Sequence, residues 1–366
     1  MSSSSSSSSS SVSVVSYNVL SEKLCNWSYF DKSRPSDCDA DVRYERVSQK
    51  LKTQMDSNAV ICMQEVSRRW LEKMIPMFSY SNYAYVSYQG HKMKNGCEYS
   101  FFSLSCFSPS LSINTLSPLI HLYIHTDMGP CIAWPTQKFC VEEVHMDRVT
   151  DTMKWPSWQK STDLSTQQQE QEEDSWKTTR SRKNGVVLVR LSDDKSSFVI
   201  GNYHMPCLFG SDIACQSMIA HAVMVIRAAE KFAGNDALVL AGDWNITPDS
   251  ATYEMIQSRG LSENHPQNPP QNERSPYKWN ATFENRLRSA YQVANGHEPE
   301  FTNHAWTSSM SEPFTNTLDY IWISDHWDVE SVLELPQRET LKDIKSYPTE
   351  SEPSDHIMIG ATLHHI

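Results

Sequence analysis

Apolar, β-branched runs of strand length recur along this chain, and they contain or lead into side chains that do chemistry. Asn18 lies in 12–19 (VSVVSYNV), Glu65 in 58–66 (NAVICMQEV) and His204 in 197–204. Asp243 and Asn245 follow 236–242, Asp319 lies in 317–324, and Asp355 with His356 directly precedes 357–364. Such runs read as buried strands. Further runs at 185–191 and 329–335 have the same character. Between them, 41–56 sets Val42, Val47, Leu51 and Met55 at near-helical spacing, and 212–232 repeats Ile219, Ala222, Ile226 and Ala229 at intervals of three and four. That spacing makes an apolar stripe facing a sheet. Strands and helices interleave, yet several strand pairs are too close for a crossover helix, which predicts a layered α/β fold with much antiparallel sheet.

The 366 residues are 39% apolar and 21% charged, enough to bury a sizeable core as one large unit or two smaller ones. A net charge of −12 repels a polyanion at long range, so nucleic acid binding through bulk charge is disfavoured unless a cation or a local basic surface intervenes. Nine dispersed cysteines with no C-x-x-C pair point to a reducing compartment. The serine run Ser2 to Ser11 lacks the basic and apolar regions of a secretory signal and reads as a solvated tail over 1–11. An intracellular, cytoplasmic setting is therefore expected.

Two segments depart from globular composition. Residues 99–126 contain no Lys, Arg, Asp or Glu, but Pro109, Pro118 and many serines set them apart from a membrane-spanning helix. They read as an atypical insertion, and no stable membrane association is expected. His121 and His125 within it form an H-x-x-x-H without the internal Glu, a weak metal signal. Residues 159–184 run from glutamines through acids into Lys177, Arg180, Arg182 and Lys183, and read as a solvated low-complexity loop.

Taken singly, each polar strand-end residue has a structural explanation, since Asp and Asn favour turns and a lone His is commonly satisfied within a core. As a set they match the needs of phosphodiester hydrolysis: a Lewis acid, an oriented water, donors for developing charge and help for the leaving oxygen. Glu65 is a hard carboxylate suited to Mg²⁺, and Asn18 offers a neutral oxygen beside it. Asp243 can hold the water, Asn245 can face the phosphate, and His204 can donate to the phosphate or leaving group. His356 is a candidate phosphate ligand held in one tautomer by a carboxylate such as Asp319.

In order along the chain, SYNVL (16–20), ICMQEV (61–66), GNYH (201–204), AGDWN (241–245), TLDYIWIS (317–324) and PSDHIMIGATL (353–363) resemble the endonuclease/exonuclease/phosphatase family over about 12–364. The resemblance implies a deoxyribonuclease I-like α/β (α+β) fold, a four-layer α/β/β/α sandwich formed by 12–366 as a single domain. It also implies a site at one rim and dependence on Mg²⁺ or Mn²⁺. Carried over by motif, Glu65 is the principal metal ligand, with Asn18 beside it and Asp355 paired with His356. Asp243 orients water, Asn245 binds phosphate, His204 closes its strand and Asp319 supports a histidine. Tyr203 and Trp244 stand where the family usually has Thr and Phe, and both are expected to point into the core.

Within that family, SAYQVANGHEPEFTN (289–303) followed by TLDYIWIS is most similar to the nocturnin, Angel and carbon-catabolite-repressor deadenylase branch. A Cys-Asp-Arg of the inositol polyphosphate 5-phosphatases is not present at the LDY position. The implied function is metal-dependent phosphodiester hydrolysis of RNA or a nucleotide by a 3′ exonuclease of deadenylase type. A small-molecule phosphatase or lipid phosphodiesterase of the same fold is the alternative, and a non-catalytic interaction protein on that scaffold is another. Arg68, Phe301 and Trp306 are candidate substrate contacts, the first to phosphate and the aromatics to a base. The sequence carries no sign of oligomeric state.

Overall fold

In the computed structural model, residues 11–88, 100–103, 128–153, 155, 175–271 and 278–366 are described. Strand β1 (Ser11–Asn18) pairs in parallel with β2 (Val60–Ser67), and α1 (Ala40–Asp56) makes the crossover between them. Asp39 starts α1 by accepting from the backbone N–H of Asp41 and Val42, which satisfies donors that the helix leaves unpaired. Val47, Leu51 and Met55 are buried, whereas Val42 remains exposed at the first turn. After β2, Ser67 caps α2 (Arg68–Tyr80) at Trp70 N, and β3 (Tyr83–Tyr88) follows.

Strand β4 (Ser100–Ser103) pairs with β3, and β5 (Met128–Pro135) inserts between β2 and β3. The stretch read as an insertion thus contributes an edge strand at 100–103, while 99 and 104–126, with His121 and His125, lie outside the described residues. The first sheet runs β14-β15-β1-β2-β5-β3-β4, with β14 (Trp327–Val332) and β15 (Ile359–His365) on its other side. The last serine of the serine run, Ser11, pairs with His364 rather than belonging to a tail.

The second sheet runs β10-β13-β9-β8-β7-β6: β6 is Cys140–Arg148, β7 Gly185–Ser192, β8 Ser197–His204, β9 Ala237–Asp243, β10 Arg288–Ser289 and β13 Asp319–Ile323. Here β8 and β9 are the parallel pair, joined by the long helix α4 (Asp212–Ala233). Between β6 and β7, residues 175–181 form helix α3, so the end of the segment read as a solvated loop is ordered and packed. Its Trp176 is buried against Trp279 with ring centroids 5.0 Å apart. Helices α5 (Ala251–Ser258) and α6 (Ala290–Asn295) and a small hairpin of β11 (Asn303–Ala305) and β12 (Phe314–Asn316) complete the elements used below.

Alternation along the strands makes two faces of each sheet. Val12 and Val14 of β1 join Val187, Ile200, Val239 and Ile321 in the core between the sheets. Val15 and Tyr17 join the apolar face of α1 and α2, and the outer face of the second sheet packs on α4 and α5. The layers are therefore helix, sheet, sheet, helix. By length and composition α4 alone among the described helices is apolar enough to cross a membrane, but its apolar residues are spent on this core.

Candidate active site

Both parallel pairs end at the same rim, and this topological coincidence builds the site. In β1 and β2, Asn18 lies opposite Gln64. In the other sheet, His204 at the end of β8 lies opposite Asp243 at the end of β9, which also faces Asp319 at the start of β13. A buried amide bridge locks the sheets together beneath the rim. Gln64 Nε2 donates to Asn202 Oδ1 at 2.8 Å, and Asn202 Nδ2 donates to the carbonyls of Met63 and Cys131 at 2.7 and 2.9 Å. Buried polar groups satisfied in this way fix a unique register.

Local backbone departures then aim the side chains. A β-bulge between Met63 and Val66 leaves Glu65 at φ +59°, turning its carboxylate to the rim next to the inward-facing Gln64. Asn18 and Asp243 each accept from the N–H two residues on, Leu20 and Asn245, at 3.0 Å, and both of those residues also have positive φ. At Gly242, φ is +153° and an added Cβ would lie 1.8 Å from the Tyr203 carbonyl oxygen, so only glycine permits β9 to bring Asp243 alongside His204. Tyr203 and Trp244 are fully buried with edge-to-face rings, as expected for residues that point into the core.

The hub is Asp243 Oδ2. Asn18 Nδ2 donates to it at 3.0 Å, His204 Nε2 lies 3.4 Å away and His356 Nε2 3.6 Å away. Asn18 Nδ2 also donates to Glu65 Oε1 at 3.1 Å, and Ser21 N donates to Glu65 Oε2 at 3.1 Å. On the far side of the imidazole, His356 Nδ1 lies 2.8 Å from Asp319 Oδ2, which also accepts from Thr302 Oγ1 at 2.6 Å. Burial alone would lower the His356 pKa, but Asp319, Asp243 and Asp355 around it outweigh that and raise it well above the usual value. Burial pushes Asp319 up to about 6 against the pull of His356, and burial, with Glu65 and Asp243 nearby, raises Asp355.

This donor set fits a divalent cation. Asp243 and Asp319 bring carboxylate oxygens within 4.8 Å of one another beside the His356 imidazole, and Glu65 and Asp355 add further carboxylates at the same rim. Hard oxygens crowded in this way call for a small, hard cation. Asn18 differs from expectation as a ligand: its Oδ1 accepts from Leu20 N and its Nδ2 lies between two carboxylates, so here it joins Glu65 to Asp243 by donating.

The structure brings Asn18, Glu65, His204, Asp243, Asp319, Asp355 and His356 together. Asn245 lies at the rim as well, but its Nδ2 donates to the Met205 carbonyl at 3.0 Å and so ties the loop after β9 to the segment after β8. Of the expected substrate contacts, Phe301 requires correction, while Arg68 and Trp306 reach the surface with partners of their own. Phe301 has 0% exposure and packs with Tyr347 and Ile357, so its ring is not available to a base. Arg68 Nε pairs with Glu72 one helical turn on, at 2.9 Å. Trp306 Nε1 donates to the Met310 carbonyl while Lys32 sits over its ring, 5.6 Å from the centroid.

Other rim and supporting residues escaped the sequence reading. Phe209, 53% exposed in the loop after His204, meets Phe314 of β12 with centroids 6.3 Å apart. Ser354 Oγ donates to the Asn18 carbonyl at 2.7 Å. Arg43, fully buried, donates to the carbonyls of Val19, Leu20 and Pro353 at 2.6–2.7 Å, tying the segment after β1 to the one before Asp355. No spacing rule marks Arg43, because its partners are main-chain atoms of loops distant in sequence.

The fold and this rim of carboxylates, amides and histidines define a two-sheet phosphoesterase scaffold. Residues 15–356 match the profile of the Endonuclease/Exonuclease/phosphatase family, and the chain belongs to that family. Carbon catabolite repressor protein 4 homolog 4 of Arabidopsis thaliana is 34% identical over 135 residues, 36% of this chain and 28% of that protein. A 2′,5′-phosphodiesterase 12 of Bos taurus is 29% identical over 34% of this chain and 19% of its own length. The chain thus aligns with less than a third of each of these relatives. Among solved structures, ANGEL2, a 2′,3′-cyclic phosphatase in complex with adenosine-2′,3′-vanadate, superposes with a TM-score of 0.69 at 16% identity, covering 98% of this chain and 96% of that one. The human Nocturnin catalytic domain with bound sulfate gives 0.57 at 16% identity, covering 97% and 94%. These likenesses show the same fold.

Proposed function

We propose that this protein is a metal-dependent phosphodiesterase acting on RNA or a nucleotide, a 3′ exonuclease of deadenylase type, with Mg²⁺ as its cofactor and Mn²⁺ as a substitute. The observation that carries the reading is the hub at Asp243 Oδ2, shared by Asn18, His204 and His356 with Asp319 behind the imidazole. Glu65, with Asp355 nearby, would hold the cation, which when bound would supply Lewis-acid polarisation of the scissile phosphate. Asp243 accepts a proton from the attacking water. His356, kept protonated by its carboxylates and oriented through Nδ1, donates from Nε2 to a phosphate oxygen. His204, one-quarter exposed at the rim, donates to the phosphate or the leaving oxygen.

The pairing of exposed Phe209 with half-buried Phe314 favours a nucleotide over a small head group, because aromatic faces at a rim stack bases. The names of the relatives support the same reading, since they include 3′-5′ exoribonuclease subunits and a 2′,5′-phosphodiesterase. The test is product analysis in Mg²⁺ on labelled oligo(A), a mixed RNA, a DNA oligonucleotide and an inositol phosphate, with Glu65→Gln as control. Stepwise mononucleotide release from RNA, lost in the variant, is expected. Phosphate release from the inositol compound with no attack on nucleic acid would overturn the nuclease assignment.

A further inference from the structure

Beside the His204 end of the rim stands a ridge of cations that the catalytic chemistry does not use. Lys177, Arg180 and Lys183 are exposed or partly so and Arg182 is half-buried, all within α3 and the turn leading to β7. None of the four has an ion-pair partner among the described residues. Arg182 Nε is buried without a hydrogen-bond acceptor. In a chain of net charge −12, such an uncompensated group is unexpected on composition alone.

Helix capping does not account for it. Cations do favour a helix C-terminus, but Arg148 already serves that end, its guanidinium donating to the carbonyls of Arg180 and Arg182. Arg180 lies over the Trp155 ring, 5.7 Å from the centroid, but no carboxylate among the described residues pairs with any of the four, and an anion joining them would relieve their mutual repulsion.

The ridge is held firmly against the site. Trp176 packs on Trp279, Thr179 accepts at its carbonyl from buried His221 Nε2 at 3.2 Å, and Asn184 Nδ2 donates to the His204 carbonyl at 2.8 Å. Cys207, in the loop after His204, feels the carboxylates of Asp243, Glu65 and Asp355 as well as the guanidinium of Arg182. Arg182 and the site carboxylates therefore lie near one loop, and the Asn184–His204 bond fixes the turn after α3 beside it, so little ordering is required on binding.

We propose that Lys177, Arg180, Arg182 and Lys183 form a track for the backbone phosphates of a single-stranded RNA whose terminus occupies the active site, making the substrate an oligonucleotide rather than a mononucleotide or small phosphoester. This rests on the phosphodiesterase reading above and extends it to the length of the substrate. An acidic protein partner would also find the cations, but continuity with His204 and the phosphate chemistry of the rim favours the RNA strand.

The test measures binding separately from hydrolysis. In an Asp243→Asn background with Mg²⁺, fluorescence anisotropy would follow a labelled hexadecameric RNA and a trinucleotide over a range of salt. The comparison is between the unaltered ridge, the exposed-only variant Lys177→Gln/Arg180→Gln/Lys183→Gln, and the same variant with Arg182→Gln added. The exposed-only variant preserves the half-buried residue, so a folding defect in the fourfold variant leaves the question answerable. If the exposed-only variant neutralises about two fewer phosphates, the slope of log K against log salt should fall by about 1.4 and hexadecamer affinity by roughly tenfold at moderate salt, with trinucleotide binding unchanged. An unchanged slope, equal loss for both lengths, or no binding of the hexadecamer to the unaltered ridge overturns the track. Hydrolysis of the trinucleotide by the unmutated chain alongside any of those results leaves the phosphodiesterase reading standing. Ridge-dependent binding with no hydrolysis of any RNA by the unmutated chain would support the track and defeat that reading.

Discussion

His221 offers a quantitative test of how the ridge helix is fastened. The ring is fully buried on α4, with Nδ1 2.9 Å from the Tyr203 hydroxyl and Nε2 3.2 Å from the Thr179 carbonyl. A carbonyl only accepts, so Nε2 carries the proton and Nδ1 accepts from the tyrosine. A second proton would displace that bond and place a cation in an apolar core near Arg182 and Arg148. Burial first, and those guanidinium groups after it, push the pKa down to about 4, although the bond to Thr179 resists the change. In the unfolded chain the ring titrates near 6.5. Above that pH both states are neutral and His221 adds no slope. Below it the unfolded chain takes up a proton that the folded protein refuses, so stability falls as pH falls, by about 1.4 kcal/mol per pH unit. By about pH 4 the loss totals on the order of 3 kcal/mol, and it levels off below. Urea unfolding at pH steps from neutral to acid, compared with His221→Gln, isolates this group from the carboxylates that titrate in the same window. The variant should lose about one proton's worth of slope between those limits. Identical slopes in the two proteins would refute the buried neutral imidazole.

Glu65→Gln and Asp243→Asn should each lower turnover by at least about a hundredfold while leaving the fold intact, since each removes charge at the reacting centre. Glu65→Gln should in addition abolish the rise in melting temperature that Mg²⁺ gives the unmutated protein, a readout that does not depend on activity. Gly242→Ala should cost more than about 3 kcal/mol, because a Cβ there meets the Tyr203 carbonyl in the sheet and nothing flexible can yield; near-normal urea stability would contradict the close strand approach. Phe209→Ala or Phe314→Ala should raise KM for an oligonucleotide roughly tenfold, from about 1–3 kcal/mol of stacking per base. Hydrolysis of a simple non-nucleotide phosphodiester should be unaffected, and equal losses on both substrates would assign the rings to scaffolding instead.

The strand-end chemistry was legible because each residue is embedded in a local pattern. An apolar run fixes which segment is a strand, and Asn18, Glu65, His204, Asp243 and Asp319 stand in or just beyond such runs. The long helix was equally plain from its stripe. Strand β5 was hidden by its neighbourhood, since Met128–Pro135 adjoins the charge-free segment that carries no period of its own. Helix α3 was hidden by composition: glutamines and acids dominate the window, whereas a single buried face led by Trp176 decides its packing. Phe301 and Phe209 show the same limit for aromatics, because nothing local separates the ring in the core from the ring on the rim.

Local residue pattern thus determined the strands that carry the site, the two long helices, the fold class and the identity of the groups able to hydrolyse a phosphoester, since alternation, helical spacing and motif chemistry act over a few neighbouring residues. Tertiary structure decided what those groups can do together. Asn18 meets Asp243 and Glu65 only because two parallel strand pairs end at one rim and the Gln64–Asn202 bridge sets their register. Arg43, the Phe209–Phe314 pair and the cation ridge acquire their meaning from partners far along the chain, and distances between such partners exist only once the sheets have packed.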